Sequence, residues 1–350
     1  GWVPHSRQIG TTGIVVDHFG QARDRAVGLF GSIFPIGAMI GPVFGGLFVS
    51  YWNWRGVFFV NVPIGLAVIA LALRYVPRDP PLVQNAGRTR MDGLGMGLLA
   101  ATLLTGMLAA SYLGEPDAPV APPVLGLLAL AAIGCGWLFL RHVGRSDQPF
   151  IDPLLIHGPG FGAVNLVNMV YGGICIGAMA LIPLYATNRY GMDALQGGTL
   201  LVAQGAASIT LSVLATATLR RTGYRLPLYA GGAIAAAGMA LIALTPPAGI
   251  APHAWLTGAA FTVGIGSGMV NPASRNAGLQ LAPQHASAIA GLRSLCFQVG
   301  TIAVVSLATA ALAGAGDTDE RQAWVYAAVA VLLAISLPLV ARIPEHHGRW

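Results

Sequence analysis

Ten runs of roughly twenty apolar residues follow one another along the chain, separated by short breaks that are polar or rich in Pro and Gly. They cover about 27–50, 56–76, 93–113, 123–143, 160–187, 196–219, 226–245, 254–274, 286–313 and 323–341. A helix needs about 20 such residues to cross a bilayer. The runs are continuous rather than alternating, which argues against strands and so against a barrel. The pattern predicts an all-α polytopic membrane protein with about ten transmembrane helices. Residues 1–26 contain only a short apolar piece at 9–16, too short to span, and read as the end of a helix that begins earlier. The chain opens Gly1-Trp2-Val3, with neither an initiating Met nor the basic-then-apolar pattern of a signal peptide.

Composition narrows the class further. Of 350 residues, 55% are hydrophobic and 9% are charged, against about 25% charged in soluble domains. So few charges cannot cover a soluble globule of this size, and so much apolar content excludes a disordered chain. All 19 basic residues are arginine, which removes a phosphate-loop lysine and any Schiff-base lysine. Cys135, Cys175 and Cys296 lie in separate apolar runs, and the eight His fall in loops or at span ends. Neither metal-ligand spacing nor an axial haem pair results, and no membrane-embedded nucleophile–base pair suggests an enzyme.

The formal charge of +6 finds its explanation in topology rather than in nucleic-acid binding. Fifteen arginines (7, 23, 25, 74, 78, 88, 90, 141, 145, 220, 221, 225, 275, 342 and 349) fall on one side of the ten runs. Arg55, Arg189 and Arg321 fall on the other, and Arg293 lies within a run. Arginine excess marks the cytoplasmic side, so both termini are expected there, and the basic loops can also hold anionic lipid heads.

The first run carries Gly37-x-x-x-Gly41-Pro42-x-x-Gly45-Gly46. Its glycines repeat every four residues on one helical face, where a neighbouring backbone can come close, and Pro42 weakens the hydrogen-bond ladder. A glycine face alone suits any helix packing, but with its proline the pattern resembles the antiporter motif of the major facilitator superfamily. Trp54-Arg55-Gly56, followed by Asn61, Pro63 and Gly65, resembles that family's sixth-helix start. Pro149-Phe150-Ile151-Asp152-Pro153-Leu154 resembles the start of the ninth, and Gln298-Val299-Gly300 part of the thirteenth. With Arg23 and Arg25 ahead of the glycine motif, the order is similar to the fourteen-span drug:proton antiporters of the EmrB/QacA type.

The resemblance implies a chain that lacks about four N-terminal helices. Residues 1–76 would be the remainder of an N-terminal bundle, 77–147 a linker and two extra spans, and 148–350 a six-helix C-terminal bundle. It implies a bacterial inner or plasma membrane, a small-molecule substrate, the proton gradient in place of a cofactor, no nucleic acid and a monomer. One departure concerns the thirteenth helix. The family often has Arg directly before the Gln; here Phe297 takes that place and Arg293 lies one turn earlier on the same face.

Polar residues inside spans usually face a cavity or another helix. Asn165, Asn168 and Tyr171 form a stripe at three-residue steps that reads either as substrate lining or as interhelical glue, and Gln204 reads similarly. Tyr112, Trp137 and Trp255 sit near span ends and read as interfacial anchors. Arg293 has no obvious acidic partner, because no Asp or Glu occupies the middle of a run. It and Gln298 are cavity candidates, with snorkelling to lipid heads as the alternative for Arg293. Arg23, Arg25, Arg275 and Asn276 are candidates for a cytoplasmic gate. Asp92 comes closest to a span among the acidic residues, so proton coupling is expected to depend on the preceding helices. The sequence therefore points to a proton-coupled exporter of amphipathic drugs. A dedicated metabolite, lipid or antibiotic exporter of the same fold, or a non-transporting membrane scaffold, are the alternatives.

Overall fold

The computed structural model describes residues 41, 44–45, 47–48, 51–53, 55–75, 92–113, 122–146, 149–282, 285–312 and 318–345. Within them every regular element is helical. The long helices are α1 (Arg55–Tyr75), α2 (Gly93–Leu113), α3 (Pro122–Val143), α5 (Phe161–Tyr190), α6 (Ala194–Thr222), α7 (Arg225–Ala243), α8 (Pro252–Leu281), α9 (Ala286–Leu312) and α10 (Thr318–Ser336). A short α4 (Pro153–His157) precedes α5. Eight segments are long and apolar enough to cross a membrane by length and composition. They coincide with nine of the ten expected runs less 254–274; the run 27–50 lies mostly outside the described residues.

That exception, α8, is 30 residues long and is less apolar than the other spans. It packs along both α6 and α7. The packing explains its composition. A Cβ on Gly264 or Gly268 would strike the carbonyls of Gln204 and Ser208 on α6, and one on Gly266 would lie 2.5 Å from the carbonyl of Gly231 on α7. Small residues replace apolar bulk where three backbones must meet.

The helices start where the sequence supplies caps. Asp193 accepts from the Gln196 amide at 2.7 Å while the Gln196 side chain returns to the Asp193 amide, a capping box that starts α6 ahead of its apolar limit. Asp152 accepts from the Leu154 amide at 2.9 Å, with Pro153 in the first turn, and so starts α4. The family-like segment 149–154 is thus a helix start in physical terms. At α1 the buried Gly56 lies under the Phe48 and Trp52 rings, where a Cβ would come within 2.7 Å of Phe48.

Two hydrophobic clusters organise the packing. The larger joins α5 to α8 and α10, with Tyr185, Leu200, Met239, Leu256, Val263 and Leu333 fully enclosed. The smaller gathers Phe139, Val143, Ile151, Leu155, Phe161, Ala282 and Ile289. There the α2–α3 hairpin docks against the ends of α5, α8 and α9, and α2 also runs beside α9. Residues of α1 are exposed nearly throughout.

Candidate functional site

A cluster of polar side chains lies where α5, α8 and α9 meet. Within α5, residues Asn168–Ile174 wind as a π-helix, Asn-Met-Val-Tyr-Gly-Gly-Ile. Such insertions are uncommon and gather at functional sites. The wide turn places Gly172 and Gly173 against α9: the Phe297 ring occupies the space beside Gly172, and a Cβ on Gly173 would lie 2.7 Å from the Gly300 Cα. Thr301 Oγ1 donates to the Gly173 carbonyl at 3.1 Å, fastening the crossing. This explains the thirteenth-helix-like segment, because only glycine at 300 admits so close an approach.

Winding also redirects the polar stripe. Asn165 Nδ2 donates to the carbonyls of Leu155 and Ile156 at 2.9 and 3.1 Å, securing the end of α4. Asn168 is buried, and its Oδ1 has no hydrogen-bond partner among the described residues. Tyr171 donates to the Leu333 carbonyl at 2.7 Å and accepts from Ser336 Oγ at 2.9 Å, tying α5 to α10. Three residues that share a face on an ideal helix therefore serve three neighbours, and of the three only Tyr171 also lines the cavity.

The cavity itself is small, about 20 Å³, room for about one water. Tyr171, Ile176, Ser267, Asn271, Ser274 and Phe297 are among its walls. Arg293 lies against two of these walls. Its Nη2 donates to Asn271 Oδ1 across the α8–α9 seam, and its guanidinium carbon lies 4.4 Å from the centre of the Phe297 ring. The Nε is buried with no hydrogen-bond partner among the described residues. Arg293 thus has a neutral amide and an aromatic face for company, and no described residue forms an ion pair with it. Both of its partners line the cavity.

Other candidates fall elsewhere. Gln298 is exposed and turned away from the cavity, and Gln204 is half-buried, with its carbonyl facing Gly264. Asn276 Nδ2 donates back to the Pro272 carbonyl at 2.9 Å, so its amide serves its own helix, and Arg275 beside it is half-buried. Gly41 and Gly45 are helical with open space around them; Asn61, Pro63 and Gly65 lie along α1, and Arg55 opens it with its amide donating to Asn53 Oδ1 at 3.2 Å. Gly37, Pro42, Gly46, Trp54, Arg23 and Arg25 lie outside the described residues. Trp137 has an exposed ring with Arg141 stacked 5.1 Å away, as an interfacial anchor should. Trp255 also ties helices together, its Nε1 donating to the Leu241 carbonyl at 2.9 Å.

Sequence reasoning missed the partner role of Asn271 and the glycines of α5 and α8. The latter did carry a signal: Gly173-x-x-x-Gly177 and Gly264-x-x-x-Gly268 have the same spacing as the motif in the first run. It also understated Asp92. This carboxylate accepts from the Gly95 amide at 2.8 Å, from His142 Nε2 at 2.8 Å and from the Phe150 amide at 3.0 Å. The Gly95 amide first, and then His142, hold its carboxyl below the usual value of 3.8. Asp92 is a capping and docking group at the foot of the hairpin.

Comparison with known proteins fits this architecture. The profile of the Major Facilitator Superfamily matches residues 8–305. The chain is 32% identical over 289 residues to a cephamycin export protein of Amycolatopsis lactamdurans, covering 80% of this chain and 57% of that one. It is 26% identical over 223 residues to a multidrug transporter of Bacillus subtilis, covering 64% and 40%. A methylenomycin A resistance protein of Streptomyces coelicolor is 26% identical over 316 residues, covering 88% and 63%. The chain thus spans about 40 to 63% of the length of these relatives. With most of its length matched by the family profile and its described residues folded into membrane-length helices, the chain belongs to the Major Facilitator Superfamily.

Proposed function

We propose that the protein carrying this chain exports drug-like small molecules by proton antiport and alternating access, on a fourteen-span frame of the EmrB/QacA type. In this reading 1–76 belong to the N-terminal bundle, 77–147 supply the linker and two extra spans, and 148–350 form the C-terminal bundle, with both termini cytoplasmic. The observation that carries it is the seam between α5, α8 and α9: a cavity with hydroxyl, amide and aromatic walls, inside a bundle whose relatives are named for multidrug transport, antibiotic export and antibiotic resistance.

Alternating access needs helices that can part without leaving polar groups stranded in lipid. Among the described residues the α8–α9 seam is bridged by one side-chain hydrogen bond, Asn271–Arg293, and Pro272 removes one rung of the α8 ladder next to it. On opening, the freed guanidinium and amide need water or a substrate group as partners. Proton antiport needs a titratable group reachable from both sides. The described spans place no carboxylate at mid-depth, so we assign that group to parts of the protein outside them.

Expression of the natural coding sequence in an efflux-deficient bacterium tests the reading. Several unrelated amphipathic drugs should lose potency, and a protonophore should restore it. Unchanged potency across the panel would refute export. Because two relatives are named for a single antibiotic, a dedicated exporter is the second reading, and resistance confined to one compound class would favour it.

A further inference from the structure

We propose that Arg293, Asn271 and the Phe297 ring form the headgroup site for an anionic amphiphile, a carboxylate or similar oxyanion attached to an apolar body. This rests on the exporter reading and adds the substrate class. A guanidinium carries five N–H donors and a charge that is never lost in proteins. Inside a membrane span it is expensive unless an anion or a water-filled path accompanies it. The Arg293 side chain meets neither among the described residues: Asn271 Oδ1 takes one donor, Phe297 covers one face, and Nε is buried without a partner. What the arrangement lacks is one negative charge with two acceptor oxygens. A carboxylate supplies both, and engages a guanidinium through paired hydrogen bonds.

The neighbouring walls suit the rest of such a molecule. Ile176, Val270 and Phe297 are apolar, while Ser267 and Ser274 can take a further polar group. At about 20 Å³ the cavity holds no amphiphile in this conformation, so entry requires α8 and α9 to part. Asn271 then acts as a displaceable stand-in. Its neutral oxygen holds the guanidinium while the seam is closed, and a ligand carboxylate, making a charge-assisted bond, replaces it. The missing rung at Pro272 lets α8 yield at that level.

The test is equilibrium binding to the natural full-length protein in phosphatidylcholine nanodiscs, with radiolabelled cholate compared with its neutral amide. Cholate should bind, and Arg293→Gln should weaken it at least about tenfold, the equivalent of one charge-assisted hydrogen bond. Arg293→Lys, which keeps the charge but not the paired hydrogen bonds, should bind more weakly than wild type and more tightly than Arg293→Gln, and the neutral amide should be indifferent to all variants. Asn271→Asp gives the guanidinium a resident carboxylate. It should lower cholate affinity without harming the fold, as a thermal melt would show. The same anion chemistry could come from a lipid head. If phosphatidylglycerol co-purifies with the wild type but not with Arg293→Gln, and competes with cholate, the site stands with lipid as its occupant. Equal binding of cholate and its amide, or cholate and phosphatidylglycerol both unaffected by Arg293→Gln and Asn271→Asp, would overturn the proposal. Binding needs no gradient. A protein that binds cholate yet exports nothing therefore sinks the exporter reading alone, and drug efflux without cholate or phosphatidylglycerol binding sinks this inference alone.

Discussion

The α2–α3 hairpin and the α5–α10 bundle are both apolar and membrane-length, yet they are held in different ways. In the bundle, backbones touch. Gly173 meets Gly300, Gly231 meets Gly266, and buried phenols reach carbonyls on other helices, as Tyr185 does to Ile242 at 3.3 Å and Tyr326 to Ala178 at 3.2 Å. In the hairpin, Gly97, Gly126 and Gly134 have nothing within 4 Å of a would-be Cβ. Leu104, Leu127 and Ile133 are exposed. Its attachment is concentrated at one end, in the Asp92–His142–Phe150 node and the cluster around Phe139 and Ile151. Lipid is as apolar as leucine, so hydrophobicity alone cannot choose a helix partner in a membrane; small residues and hydrogen bonds do. The bundle has both along its length. In the hairpin small residues meet only at looser contacts, Gly136 with Thr102 and Gly106 with Ala132, and the hydrogen bonds that fasten α2 to α3 and to residue 150 lie at one end.

The contrast can be broken most severely at the α5–α9 crossing. Gly173→Ala should destabilise the protein by about 1–3 kcal/mol through overpacking, seen as a lower melting temperature and less monodisperse protein. Next comes Tyr171→Phe, which removes the bond to Leu333 and the contact with Ser336, whose hydroxyl keeps its own bond to the Leu333 carbonyl at 2.8 Å. It should cost about 1 kcal/mol, read in the same melt.

Asp92→Asn should act locally, raising hydrogen exchange around 144–150 while leaving the bundle unchanged. The sign of its pH dependence follows from the depressed carboxyl. The stabilisation is present above the ordinary value of 3.8 and is lost only as pH falls through the lower folded value. Wild type should therefore resemble the variant only in that acid range. The smallest effect belongs to Gly97→Ala, the same substitution as at Gly173. With open space around it, a gain of up to about 1 kcal/mol from helix propensity is expected. A loss there as large as at Gly173 would erase the distinction between the two regions.

The spans were legible because a bilayer imposes one length and one composition on them, and the nine runs that fall in the described residues match helices. Their ends were less so, since α6 begins at a capping box and α8 continues to Leu281, well past the end of its apolar run at 274. Arg293 could be singled out because a lone cation in an apolar run is conspicuous. Asn271 could not be assigned to it, since 22 residues and a change of helix separate them. The stripe Asn165, Asn168 and Tyr171 assumes 3.6 residues per turn, and the π-helix at Asn168–Ile174 breaks that assumption. Gln298 shares a helix with Arg293 but not its face, because Phe297 and Gly300 are the residues turned towards α5.

The central claim is that the seam between α5, α8 and α9 is the substrate path. Its most direct test is proton-driven drug efflux from inside-out vesicles containing the natural protein or its Asn271→Asp variant. Completing an ion pair with Arg293 should leave the protein folded, with an unchanged or higher melting temperature, and lower efflux several-fold by holding the seam shut. Efflux at the wild-type rate from the folded variant would place the path elsewhere.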